Sequence, residues 1–180
     1  MSENFIDMLS VGGKSNSLGR AAEVIELVLR DTSRLDELYN CLFSDDAWVR
    51  MRAADALEKI CRQHPDWLQP YIDKFPDELA TSPRASIQWH LAQIYSQVEL
   101  TDSQRDFAVR WLEHLLATKD VDWIVAANAM DALAKFTKER HFPKAKMITL
   151  LKVQQEHKSN AVIKRATKLL AELTDSLSLH

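Results

Sequence analysis

Glycine and proline are scarce in this chain: 3 and 5 in 180 residues. That leaves too few turn residues for the many short strands of an all-β fold. Cysteine is rarer still. Cys41 and Cys61 form no C-x-x-C pair, so the sequence points to buried structural thiols rather than a metal or redox pair. The six histidines contain no His-x-x-x-His spacing and no Cys/His cluster, the patterns a zinc site would need. No uncharged apolar run approaches the length of a membrane span. Met1-Ser2-Glu3-Asn4 is acidic where a secretory leader would be basic. A cytoplasmic location with reduced thiols and no membrane partner is therefore expected. A strong charge of one sign is also missing. The net charge of -3 gives no global attraction to nucleic acid, although a local basic patch remains compatible with it.

What the chain does have is a helical pattern that recurs. Hydrophobic residues make up 46% of it, enough for a substantial core. The clearest copy runs from Val49 to Ile60, where Val49, Ala53, Ala56, Leu57 and Ile60 share one helical face. Related stripes are Ala21, Val24 and Val28; Ile87, Leu91 and Ile94; Val125, Ala129, Leu133 and Phe136; and Val162, Ala166, Leu170 and Leu173. Anchors at residues 21, 53, 87, 129 and 166 are separated by 32, 34, 42 and 37 residues, a drifting period typical of stacked helix pairs. Each anchor after the first follows another amphipathic stripe: Leu35, Leu38 and Leu42; Leu68, Ile72 and Phe75; Phe107, Trp111, Leu112 and Leu115; Met147, Ile148 and Leu151. Thr101 to Gln104 reads as a capping box, and Asp45-Asp46 suits a helix N-terminus. Ser82-Pro83 predicts a helix start, Phe75-Pro76 a helix end, and His64-Pro65 and Phe142-Pro143 further boundaries.

A first helix, an Asp-containing turn and Val-Arg-x-x-Ala-Ala-x-Ala-Leu, all within residues 33–64, resemble a HEAT repeat. Residues 66–97, 102–139 and 142–174 are similar but degenerate: Pro83-Arg84 stands for Val-Arg in the first, Val125-Ala126 in the second and Val162-Ile163 in the third. The resemblance implies an all-α fold, a right-handed α-α superhelix, in a single domain over 1–180. It would be a short HEAT-like solenoid of about four helix pairs. Residues 17–30 would be an N-terminal capping helix, and residues 1–16 a flexible or short helical lead. The alternative is an irregular all-helical bundle.

Catalytic chemistry finds no foothold in the sequence. Gly12-Gly13-Lys14-Ser15 resembles the end of a phosphate-binding loop, but Met8 stands where that loop needs glycine, and a short helix precedes it instead of a strand. Iron-binding HEAT-type hydroxylases use His-Glu pairs, whereas Glu113-His114 and Glu156-His157 run in reverse order and read as solvated helix ends. His90 falls on an inward stripe, as a hydrogen-bonded core histidine would. No nucleophile–base constellation can be assembled, so a non-enzymatic role without a cofactor or metal is expected.

Tryptophan carries the functional hint. Trp111 falls within a core stripe and Trp67 at a turn. At about 100° per residue, Trp48 and Trp89 lie far round from the buried stripes, on faces shared with Arg52, Asp55, Lys59, Arg62 and Gln93. The HEAT resemblance places these second helices on the concave side of the array. Trp48, Arg50, Arg52, Lys59, Arg84, Trp89 and Trp123 thus form a candidate partner-binding surface, since Trp and Arg favour binding hot spots. Packing against a neighbouring repeat explains Trp48 and Trp89 equally well, and Trp123 better. The first functional reading is a scaffold that binds a protein partner. The second is a nucleic-acid-binding protein resembling HEAT-type alkylpurine DNA glycosylases, which net charge disfavours. An exposed solenoid end would also offer a route to a homo-oligomer, with residues 174–180 reading as a frayed tail.

Overall fold

Helix starts and stops follow the local chemistry of the chain. The computed structural model describes residues 3–12 and 17–175, and every regular element among them is helical. The chain divides into two compact units, Met1–Pro70 and Tyr71–His180. The division falls inside the second expected repeat of what the sequence suggests is a single domain.

The first unit contains α1 (Phe5–Ser10), α2 (Ala21–Arg30), α3 (Leu35–Asn40) and α4 (Ala47–Gln63). Its 3₁₀ turns are Thr32–Arg34, Cys41–Phe43 and Pro65–Leu68. Helix α4 starts where the Asp46 carboxylate accepts the N–H groups of Trp48 and Val49, at 2.7 and 3.3 Å, satisfying donors that have no partner within the helix. It stops at His64, just before Pro65. Val49, Ala53, Ala56, Leu57 and Ile60 are all buried, and α1, α2 and α3 each pack on this helix. Helix α2 begins at Ala21 rather than residue 17. Gly19 explains the delay: it takes φ +52°, a left-handed turn that glycine adopts readily. The expected cap at Ser15–Ser17 and the Gly13-Lys14-Ser15 stretch fall mostly or wholly outside the described residues, as do residues 176–180 of the tail.

The short α5 (Gln69–Ile72) bridges the division. The second unit then continues with α6 (Phe75–Glu78), α7 (Ala85–Gln97), α8 (Asp102–Leu116), α9 (Trp123–Lys138), α10 (Lys144–Gln154) and α11 (Asn160–Asp175). The first helix expected over the stripe Leu68, Ile72 and Phe75 is therefore broken into short pieces. Pro76 does not end a helix but sits in the first turn of α6, where its missing N–H costs nothing. Pro83 lies just ahead of α7, whose N-cap is Arg84 and has no side-chain bond. Thr101 and Gln104 make the expected capping box at α8. In the last helix the stripe turns slightly: Leu169 is buried, and Leu170 is only half-buried.

Packing in the second unit forms two rows. Helix α9 lies between α7 and α11, while α8 packs on α10, and α8 and α10 both back onto α9. Side-chain bonds tie equivalent levels of successive repeats. Gln93 donates to Asn128 at 3.0 Å, Lys135 to the Ser96 carbonyl at 2.6 Å, and Arg165 to Asp131 at 2.7 Å. In the other row Lys146 meets Glu113 at 2.9 Å, and the fully buried Gln154 donates to the carbonyls of Leu116 and Thr118, both at 2.9 Å. These partners are 33 to 39 residues apart, the step of the sequence repeat itself.

Candidate functional site

The structure separates the candidate residues by role. Trp48, in the first turn of α4, is 40% exposed. Arg52, one helical turn later, was expected on the same outward face but is only 2% exposed. The physical reason is a chain segment that folds over it. Its guanidinium donates to the carbonyls of Leu9 (2.6 Å), Gly12 (2.6 Å) and Ser17 (3.0 Å). A buried cation needs such partners, and three backbone oxygens supply them. Gly19 is pressed against the same group: a Cβ there would lie 3.1 Å from the Arg52 Cζ and 2.7 Å from the Val11 carbonyl.

Arg50 is likewise buried, contrary to its expected place on a contact surface. Its Nη1 donates to the carbonyls of Ser44 and Asp45, at 2.5 and 2.7 Å, which closes the turn between α3 and α4. Lys59 is half-buried and pairs with Asp55 one turn back on α4, at 2.8 Å.

Trp48 shares its unit with other exposed apolar residues. The Arg52 guanidinium lies 5.6 Å from the Trp48 ring centroid, within cation–π range. The residues that Arg52 holds have exposed apolar chain neighbours, Val11 next to Gly12 and Leu18 next to Ser17. Ile6 and Phe43 are exposed in the same unit. Apolar side chains flanking a glycine-containing segment were the available sequence signal for Val11 and Leu18, but only Arg52 shows that this segment crosses α4.

Candidates in the second unit behave differently. Arg84 is exposed at the start of α7. Trp89 is half-buried, its ring 4.9 Å from that of His90. His90 is a core histidine as expected, bonded through Nδ1 to the Ser86 carbonyl at 2.6 Å. Trp123 is 51% exposed at the start of α9. Its packing against a neighbour, the reading the sequence favours, is at most partial. It stands beside the exposed Asp122, and among the described residues no other large apolar side chain of its unit is exposed. Trp111 is buried, and Trp67 stacks on His64 with ring centroids 4.1 Å apart.

Histidine and cysteine take structural places. His114 is exposed at a helix end, but His157 is buried, against the expectation of a solvated side chain. Its Nδ1 accepts the Ser159 N–H at 2.9 Å, so Nε2 carries the proton and donates to the Val121 carbonyl at 2.8 Å. That pair of bonds staples the turn before α11 to the turn before α9. Cys41 and Cys61 are buried and unpaired. Burial pushes their thiols up to about 11 and about 12, so both stay protonated and poorly nucleophilic at neutral pH. Among the described residues no group of three His, Cys, Asp or Glu side chains is placed to hold a metal ion, and no helix is long and apolar enough to cross a membrane.

A family model described as a HEAT repeat domain matches residues 9–120. No curated protein and no solved structure matches the chain.

Proposed function

This chain belongs to the HEAT-repeat family, and we propose that it is a non-enzymatic scaffold that binds a protein partner through the Trp48 surface of its first unit. The observation that carries this reading is the exposed Trp48 over the buried Arg52, with Val11 and Leu18 exposed on the segment that Arg52 ties down. Exposed apolar residues gathered on one unit mark contact surfaces, whereas a lone exposed aromatic such as Trp123 needs no partner to explain it. Arg52 fixes the segment in place before binding, so little further ordering is needed when a partner arrives.

Nucleic acid is the weaker reading. Of the arginines it leans on, Arg50, Arg52 and Arg84, the first two are committed to backbone carbonyls and only Arg84 is exposed, whereas phosphate contacts require free cations. The two unpaired thiols fit a cytoplasmic setting.

The test is affinity capture with the wild-type chain and Trp48→Ala. Loss of a captured protein at unchanged helicity supports the proposal, and equal recovery refutes it. Arg52→Glu is unsuitable, because it would report loss of the segment it anchors rather than loss of contact.

A further inference from the structure

Several cations of the second unit are paired. Arg105 meets Asp102, Lys119 meets Glu156, Lys146 meets Glu113, and Arg165 meets Asp131. At one end of the unit basic residues gather around a groove. An open groove of about 770 Å³, the size of a ligand site, lies at the α9–α10 turn and reaches α11. Lys138, Arg140, His141 and Lys144 line it, over the largely buried Phe142 and Leu173, and among the described residues no carboxylate does. Lys138 pairs with Glu172 at 3.3 Å, while Arg140 and His141 have no ion-pair partner among the described residues. The nearest acid in sequence, Glu139, pairs with Lys135 instead.

The turn that presents these cations is fixed. The N–H of Arg140 bonds the Thr137 carbonyl at 3.1 Å, and that of His141 bonds the Phe136 carbonyl at 2.8 Å. These are the two bonds of a Schellman closure, with Arg140 in the left-handed position at φ +65°. Helix α10 then starts at Lys144 with no acidic residue in its first turn, so its positive end adds to the same field.

We propose that this groove binds an acidic segment of a partner protein, carboxylates on the cationic rim and one apolar side chain against Phe142 and Leu173. The apolar floor distinguishes such a segment from a free phosphate. A nucleic-acid backbone would need a track of cations, whereas here they are confined to one turn of a chain with net charge -3. This surface is separate from the Trp48 surface, and its test does not depend on that reading.

The experiment is fluorescence anisotropy on the full chain with a dye-labelled peptide in which glutamates flank a single leucine. Comparison probes are the same peptide with glutamine for glutamate, the same peptide with serine for leucine, and a single-stranded DNA oligonucleotide. The acidic leucine peptide should bind, weaken with added salt, and outcompete all three. The variant Arg140→Gly/His141→Gln should weaken it about tenfold, as loss of an exposed charge contact and of the imidazole contact beside it allows. Glycine suits the left-handed position, so unchanged circular dichroism of this variant is expected. Equal binding of the glutamine peptide, preference for DNA, no binding of any probe, or full affinity in the well-folded variant would each overturn the proposal.

Discussion

The two units use the same repeat differently. The first contains the copy nearest the HEAT pattern, yet it is the less regular, with short helices and 3₁₀ turns gathered around the single long helix α4. Its two buried arginines serve backbone that precedes α4: Arg50 the turn before that helix, Arg52 the carbonyls of Leu9, Gly12 and Ser17. The second unit is made of degenerate copies, yet its helices are long and joined level by level through side-chain bonds at the repeat spacing. Closeness to a repeat pattern therefore does not measure regularity. In the second unit polar side chains register one repeat on the next. In the first they hold an accessory segment, which leaves apolar side chains exposed beside it.

Arg52→Ala should break this contrast most strongly. It strips three carbonyls of a charged donor, at a cost of about 3 kcal/mol. Hydrogen exchange should accelerate across α1 and the amides up to Gly19, while α9 keeps its protection. Equal loosening of both units would show that they unfold as one.

Gln154→Ala is the counterpart in the second unit. It leaves the Leu116 and Thr118 carbonyls without their donor and should cost about 2 kcal/mol, read as a lower urea midpoint with exchange rising in α8 and α10 and not in α4. Both free thiols are in the first unit, and this sharpens the contrast by pH. Their folded values lie above the ordinary 9.0, at about 11 and about 12. Burial of the neutral thiols thus stabilises fully below pH 9 and is lost as pH rises through 11 to 12. Over that range the wild type should lose more stability than Cys41→Ala/Cys61→Ala, measured as the difference in urea midpoints. The smallest effect is expected from Asp131→Asn. Its pair with Arg165 is more than a third exposed on both sides, so the loss should stay under about 1 kcal/mol, and a larger one would mean that α11 depends on this pair.

Where the sequence succeeds, the cause is local. Asp46 caps α4 because its carboxylate reaches N–H groups two and three residues on, and Thr101 with Gln104 works the same way. The buried stripes are legible because helical period alone places Val49, Ala53 and Ile60 on one side. What escapes it is distant. No helical wheel shows that the carbonyls of Leu9 and Ser17 meet Arg52 from 43 and 35 positions away, so a buried arginine reads as an outward one. His157 escapes for the same reason, its partner Val121 being 36 residues back. The broken stretch before α7 reads as one helix because Leu68, Ile72 and Phe75 keep helical spacing across the break. Of the candidate site, Trp48 is exposed, and Trp123, for which the sequence favours packing, is more exposed still. Val11 and Leu18 were not seen at all.

The central claim is that tryptophan-mediated contact belongs to the first unit, and that the exposed tryptophan of the second needs no partner. Side-by-side affinity capture with Trp48→Ala and Trp123→Ala tests it most directly, since both substitutions remove an exposed tryptophan from the first turn of a long helix. The account predicts that Trp48→Ala lowers partner recovery about tenfold or more, as loss of a hot spot does, while Trp123→Ala recovers the wild-type amount. Full recovery with Trp48→Ala together with loss with Trp123→Ala would contradict it.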